Sequence, residues 1–235
     1  METKRRENWR AFLIEAIVIV GSILLAFAID AWWQEREERR IETTLLNNLR
    51  SDMLASQEQL EQWITGNSRI LDSAEGFLSL LRAAQRDSEV SVPFRNVVGV
   101  LGTPTYSPTE STINAAVSSG QIELIANPRI RAALASWQYQ LEDTRADELY
   151  RRDITRTQLL PALSAQTRLG DAFTQHLAFF LEGRVTDPDR LIRLTASSDL
   201  EGALGHFVFY THFIVEQLEQ IGETQSRILE MLEQP

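Results

Sequence analysis

The sequence contains no cysteine, and this absence excludes disulfide bonds, thiolate metal sites and cysteine nucleophiles. Lysine is nearly absent too, because Lys4 is the only one and every other basic residue is arginine. The arginines are scattered over many helical turns, so we attribute the bias to genome composition and to no particular binding site. Nothing in this usage distinguishes one cellular compartment from another.

Recognisable catalytic motifs are missing as well. The chain has no Gly-x-Ser-x-Gly elbow and no phosphate-binding loop. It also lacks the repeated Glu-x-x-His pairs of a di-iron bundle. His212 and Glu216 are spaced i, i+4 and supply half a metal site, but the three histidines are more typical of ordinary surface or core positions. We therefore expect no enzyme activity, no metal and no cofactor.

The chain has little positive charge. Its net charge is −10, whereas nucleic-acid binding needs a basic face that replaces counterions. An acidic domain is also not expected to lie flat on an anionic lipid surface. The 43% hydrophobic content of the 235 residues still allows a packed core.

One segment is apolar enough to cross a membrane. Residues 11–33 read AFLIEAIVIVGSILLAFAIDAWW, with Trp9 before the apolar run and Trp32 at its end. The 23 residues between these indoles span about 35 Å of helix, which places one indole at each headgroup region. We predict a cytoplasmic tail at 1–10, a transmembrane helix at 11–33 and a helical extramembrane domain at 34–235.

Orientation rests on a small difference in basic charge. Four basic residues precede the span and three follow it closely (Lys4, Arg5, Arg6 and Arg10 against Arg36, Arg39 and Arg40). With the short tail inside, the protein is predicted in a bacterial inner membrane with its domain in the periplasm. The alternative is a cleaved signal peptide, since Ala26-Phe27-Ala28 fits a cleavage site. The long span, Glu15 and the paired tryptophans argue against cleavage.

The predicted span carries a polar face. Glu15, Ser22, Ala26 and Asp30 are spaced 7, 4 and 4, so they share one side of a helix. Ser22 and Ala26 form a small-xxx-small pair that lets a second helix approach closely. One interpretation is that the two carboxylates snorkel to the interfaces; the other is that this face packs against copies of itself or a partner subunit.

Helical periodicity dominates the rest of the chain. Positions from Leu46 to Leu81 follow alternating spacings of 3 and 4, and so do positions from Leu200 to Leu232. Other helices are predicted at 93–101, from the capping box Ser107–Glu110 to Gly120, from Pro128 to about Leu169, at 171–182 and from Asp187. Gly66 is the weakest point of the first heptad helix and the predicted place of a kink. No strand long enough to found a sheet is predicted. The fold class is all-α, an elongated antiparallel bundle.

Caps and an inner face are predicted for the long helices. Asn127 is the N-cap of the helix that begins at Pro128, and Pro161 should kink or end that helix near Leu160. Ser198–Glu201 is a second capping box, at the start of the last helix. The inner face of the Pro128 helix is predicted from its apolar residues, Ile130, Leu134, Trp137, Leu141, Leu149 and Ile154.

Two local clusters are candidates for function. The corner at 102–110 is a stiff inter-helix turn or, with Tyr106, Ser107, Glu110, Ser118 and Ser119, the lining of a ligand pocket. The second cluster lies on the helix after Pro128 and alternates in sign, which is typical of a solvated face and alternatively of a docking surface. Its members are Arg145, Arg151, Arg152, Arg156, Asp143, Asp147, Glu148 and Asp153.

The layout resembles an uncharacterised family of bacterial single-pass membrane proteins, a domain of unknown function. The resemblance rests on Trp9–Glu15 (WRAFLIE), Ala31–Arg36 (AWWQER), Thr105–Ser107, Ser118–Gly120 and Glu123–Asn127. It covers roughly residues 8 to 140 and implies an inner-membrane anchor and a helical domain, but no activity. If Glu15 belongs to the family's opening motif, the helix-packing interpretation of the polar face gains weight.

The leading hypothesis is a non-enzymatic bitopic membrane protein. It would assemble through its membrane helix and heptad helices, as a homo-oligomer or with a partner membrane subunit, and serve as scaffold or accessory subunit. The alternative is a periplasmic helical sensor that binds a small ligand at the Tyr106 corner and signals through a partner.

Overall fold

A single helix dominates the architecture. The computed structural model describes residues 2–233, and side chains at Trp9 and at 12–233. Helix α1 runs from Glu2 to Ala83 without a break. The four basic residues of the predicted tail lie outside the side chains described. The kink predicted at Gly66 is absent, because this residue lies inside the continuous helix.

Three long helices form the bundle. α7 (Ser198–Glu233) lies between the other two and packs extensively along both α1 and α4 (Pro128–Ile154). α7 is antiparallel to α1, since Arg50 pairs with Glu233 near one end and Arg82 with Glu201 near the other. The predicted all-α antiparallel bundle is confirmed.

Shorter elements cover the two ends of the bundle. From the far end of α1 the chain passes through strand β1 (Glu89–Pro93) and helix α2 (Phe94–Leu101). It then returns along the bundle through an irregular segment to α3 (Ser111–Ser119) and a 3₁₀ turn (Gln121–Leu124). After α4 come a π-helical turn (Thr155–Leu159), α5 (Leu160–Ser164), α6 (Gly170–Glu182) and β2 (Leu191–Thr195).

A small antiparallel sheet corrects the expectation that no sheet forms. β1 and β2 pair in the register Glu89–Thr195 to Pro93–Leu191. Val90 and Val92 point inward, but their partners are about a hundred residues away, so no local turn signalled the pairing. The short helix predicted from Asp187 is wrong, because Asp187 has a φ of 55°, which does not fit the extended backbone of an N-cap.

Two other helix starts differ from prediction. The capping box at Ser107–Glu110 does not form, and α3 begins at Ser111. Asp52 of α1 caps it instead, because its Oδ2 accepts a hydrogen bond from the Thr112 amide at 3.2 Å. α7 does begin at Ser198, but its capping side chain is that of Ser197, which accepts from the Leu200 amide. The predicted cap at Asn127 is confirmed, with Arg129 N as its donor.

The interior consists of two apolar clusters in series. The cluster nearer the N-terminal part of α1 includes Leu49, Trp137 and Leu218, and the distal cluster includes Phe77 and Phe207. Heptad positions of α1 and α7 supply both clusters. The apolar positions of both predicted heptads are therefore packed inside the chain. They are not available for pairing between copies of the chain.

Candidate functional site

The N-terminal part of α1 stands free of the rest of the chain. Every residue from 12 to 40 is exposed, which includes residues 12–33 of the predicted span. Of the helices in the part that the structure describes, α1 alone is long and apolar enough to cross a membrane. Trp32 and Trp33 meet edge to face at 5.5 Å, and the Arg36 guanidinium lies over the Trp32 ring. These rings end the apolar run with amphipathic groups suited to a headgroup layer.

The four residues of the polar face lie on this free part of α1. Glu15, Ser22, Ala26 and Asp30 are all exposed, and the Ser22 hydroxyl donates a hydrogen bond to the Ile19 carbonyl at 2.8 Å. The helix is unbroken from Glu15 to Asp30, so the four share one side. Their role in helix packing stays a prediction.

The corner at 102–110 is filled by its own aromatic ring. Tyr106 is 1% exposed, and its ring lies 6.4 Å from Trp63, which in turn meets Phe180 edge to face at 5.4 Å. The Tyr106 hydroxyl donates to the Ser56 carbonyl at 3.3 Å. A ligand in this position would have to displace one of these rings, so the geometry here describes a packed corner.

The other predicted corner residues do not converge on Tyr106. Ser107 is exposed, and Glu110 pairs with Arg145 of α4. Ser118 and Ser119 lie at the end of α3, where their hydroxyls donate to the Asn114 and Ala115 carbonyls. The five residues therefore occupy separate places, and a ligand site built from them stays a prediction without geometric support.

A buried polar layer holds the corner to the bundle. Glu148 Oε1 accepts a hydrogen bond from the Tyr106 amide at 2.8 Å. Arg151 Nη1 donates to Asn67 Oδ1 at 2.7 Å, and Arg151 Nη2 donates to the Pro104 carbonyl at 3.0 Å. One layer thus fastens the corner to α4 and fastens α4 to α1.

Burial perturbs both charged groups of this layer. Desolvation raises the pKa of Glu148 to about 7, against the opposing influence of the Tyr106 amide and of Arg151. Desolvation also lowers the pKa of Arg151 to about 10. The same cause raises the pKa of Tyr106. These shifts have a structural origin, since Glu148 and Arg151 are both 1% exposed or less.

This layer was missed because the predicted inner face of α4 followed apolar residues only. Leu149 was expected inside and is 58% exposed, whereas Glu148 and Arg151 are buried. Treating Arg151 as part of a solvated or docking face was wrong for the same reason. The spacing of the residues could have predicted the buried pair, because the inner positions of α4 follow alternating steps of 4 and 3 without a gap. Those positions are Ile130, Leu134, Trp137, Leu141, Thr144, Glu148, Arg151 and Thr155.

A groove opens between α1 and α3 just beyond the free part of α1. It encloses about 500 Å³, and its α1 side carries Arg40, Thr44 and Asn48 over the apolar Ile41 and Leu45. Its α3 side is built mainly from small residues, Ser111, Thr112, Ala115 and Ala116, and Gln121 closes one end. No local pattern predicted this groove, because it depends on how α3 folds back onto α1.

The remaining candidate chemistry is dispersed. His212 and Glu216 approach to 3.3 Å on the exposed side of α7. Among the described residues, no group of three or more potential ligands is arranged to hold a metal ion. His176 Nδ1 lies 2.7 Å from the Phe173 carbonyl of its own helix.

Comparison with known proteins identifies a family for the chain, and the function of that family is unknown. Residues 15–178 match the model of a family of unknown function, DUF6090. The matched range begins within the polar face and includes the corner, the groove and the buried polar layer. No curated protein and no solved structure matches the chain.

Proposed function

The chain belongs to DUF6090, a family of unknown function, and we propose that it is a non-enzymatic, single-pass membrane protein that serves as an assembly subunit. The single observation that carries the proposal is the complete exposure of the apolar segment of α1. About 20 apolar residues in water would cost far more free energy than a folded domain yields. A bilayer supplies the apolar surroundings that this helix lacks within the chain.

Association through the polar face is the second part of the proposal. An unpartnered carboxylate at membrane depth costs on the order of 2.5 kcal/mol at the bilayer centre and less toward the interface. Packing Ser22 and Ala26 against another helix would bury the face that also carries Glu15 and Asp30. Since the two apolar clusters of the domain are already complete, the membrane helix is the part best suited to join copies or a partner subunit.

The proposal extends to the location of the protein. The protein would lie in a bacterial inner membrane with its N-terminus in the cytoplasm and its helical domain in the periplasm, which is supported by the four basic residues before the span and the three after it. The acidic domain, with an overall net charge of −10, is suited to proteins as partners and not to nucleic acid. A reporter enzyme that is active only in the periplasm should therefore be active when it is fused after Pro235. Activity of a cytoplasm-specific reporter would contradict the orientation.

A matched pair of alanines tests the association. Ala26 lies on the polar face, and Ala28 lies about 160° from its centre at 100° per residue. Ala26→Leu should weaken association of the full-length protein in mild detergent, because the larger side chain separates the helices. Ala28→Leu should leave association unchanged. Equal behaviour of the two variants would contradict a role for this face.

Membrane insertion has its own measurement. The full-length protein should remain in the membrane pellet after alkaline carbonate washing and should leave it only with detergent. Release by carbonate would show that the exposed apolar helix does not span the bilayer. Intact mass of the protein from membranes would at the same time reveal any cleavage after Ala28.

A further inference from the structure

The groove between α1 and α3 lies on the same side of α1 as the polar face of the span. At 100° per residue, Thr44 is turned by about 20° from Glu15 and Arg40 by about 20° in the opposite sense. α1 is unbroken between Glu15 and Asn48, so this angular relation holds along the helix. The groove begins at Arg40, about 10 Å beyond Trp33.

The bundle interior occupies another side of the same helix. Leu49, buried in the proximal cluster, is turned by about 160° from Glu15. A helix seated along the polar face therefore passes outside the bundle and does not meet α7, which packs on the interior side of α1. Its straight continuation beyond the membrane leads into the groove.

We propose that the groove holds α1 of a second copy, as a direct extension of helix pairing in the membrane. The inference rests on the proposed association through the span. Its occupant must leave the membrane as a helix that stays unbroken for at least 15 residues, or about 22 Å. α1 has this property and emerges at the required height. In a two-fold symmetric pair, each copy fills the groove of the other.

The chemistry of the groove is compatible with a helix of this sequence. Ala115 is exposed on α3 and presents a small side chain to the groove, so a helix can approach the α3 backbone closely. Glu37 and Arg40 of α1 form an ion pair one turn apart, with Arg40 Nη2 2.6 Å from Glu37 Oε1. In a parallel pair, Arg40 of each copy comes within one turn of Glu37 of the other. Both charges can then be shared across the interface.

Single cysteines provide a direct test, because the natural sequence has none. Thr44→Cys places a thiol on the groove side, and its neighbour Thr43→Cys places one about 100° away on the same exposed helix. The two threonines are matched controls, since each hydroxyl donates to the carbonyl four residues earlier. Oxidation of the full-length variants in native membranes should give a disulfide dimer several-fold more abundant for Thr44→Cys.

Ser22→Cys separates this inference from the proposed function. If Ser22→Cys forms dimers and Thr44→Cys does not, the helices pair in the membrane and the groove proposal is overturned. If neither forms dimers, self-association through the span is overturned as well. A Thr44→Cys product whose mass is not twice 26.7 kDa would overturn the second copy as the occupant.

Filling the groove supplies a second readout. Ala115→Trp should reduce the Thr44→Cys dimer several-fold and leave the Ser22→Cys dimer unchanged. Val117→Trp, at an exposed position on another side of α3, is the matched control and should change neither. Circular dichroism melts verify that both variants fold. An undiminished Thr44→Cys dimer with Trp at position 115 would contradict passage through the groove.

Discussion

The same helices build the two apolar clusters of the bundle and the polar layer between them. The clusters and the layer differ in how specific their contacts are. The clusters use positions such as Leu49, Leu218 and Phe207, whose side chains fit any apolar neighbour of suitable size. The polar layer uses Glu148 and Arg151, whose partners are specific atoms of the corner and of Asn67. Apolar packing supplies stability, whereas the layer fixes where the corner sits.

Removing the buried guanidinium should have the largest effect. Arg151→Ala leaves Asn67 Oδ1 and the Pro104 carbonyl without their donor, and it leaves Glu148 without a nearby positive charge. Breaking such a buried arrangement costs roughly 3–5 kcal/mol of unfolding free energy. Denaturant melts of Arg151→Ala and of its exposed neighbour Arg152→Ala measure the difference. An equal, small effect of both variants would contradict a specific role for the layer.

Truncation in an apolar cluster should come next. Leu218 is fully buried in the proximal cluster, and Leu177 of α6 is exposed. Leu218→Ala should lower the free energy of unfolding by about 3 kcal/mol at any pH, through lost burial and the cavity that remains. Leu177→Ala should change it by less than about 0.5 kcal/mol. A strong pH dependence of the Leu218→Ala effect would remove the contrast with the polar layer.

The pH dependence of stability should come from the polar layer. Because the pKa of Glu148 is raised to about 7 in the folded chain, the folded state keeps a proton that the unfolded state loses between about pH 4.5 and 7. The contribution of Glu148 to stability is therefore complete below about pH 4.5 and is lost as the pH rises through 7. The loss is about 3 kcal/mol.

Glu148→Gln separates this contribution from all others. Its amide oxygen can still accept the Tyr106 hydrogen bond, but the side chain does not titrate. The variant should flatten the stability profile between about pH 4.5 and 7, as measured by denaturant melts at several pH values. An unchanged slope relative to the natural chain would show that Glu148 does not carry the effect.

A glycine contact should give the smallest effect. A Cβ at Gly66 would clash with the ring of Phe180, so Gly66→Ala should destabilise the distal part of the bundle by roughly 1–3 kcal/mol. Gly202 in α7 has no neighbour within 4 Å of an added Cβ. Gly202→Ala should therefore stabilise by up to about 1 kcal/mol. Thermal melts in which both variants shift in the same direction would contradict this contrast.

Much of the fold was predictable because it depends on local patterns. The heptads of α1 and α7, the cap at Asn127 and the glycine that ends α3 are each encoded by residues close in sequence. The sheet was not predictable in the same way, since β1 and β2 lie about a hundred residues apart. The predicted start of α3 was wrong for a related reason, because the side chain that caps this helix is that of Asp52 on another helix.

The candidate sites show the same division. The polar face of the span follows from spacing alone, because α1 is a regular helix from Glu15 onward. The groove and the buried layer depend on how α3 and α4 meet α1, which no single stretch of sequence describes. Arg151 illustrates the difficulty, since a charged residue in a mixed-charge helix is usually solvated. Only its place in the 3–4 spacing marks it as interior.

Both the proposed function and the occupied groove require that the free part of α1 joins copies of the chain. The most direct measurement is the native mass of the full-length protein extracted in mild detergent, corrected for bound detergent and lipid. Self-association through α1 predicts a discrete multiple of 26.7 kDa. A monomer at every concentration, or a monomer that carries a different subunit, would contradict self-association.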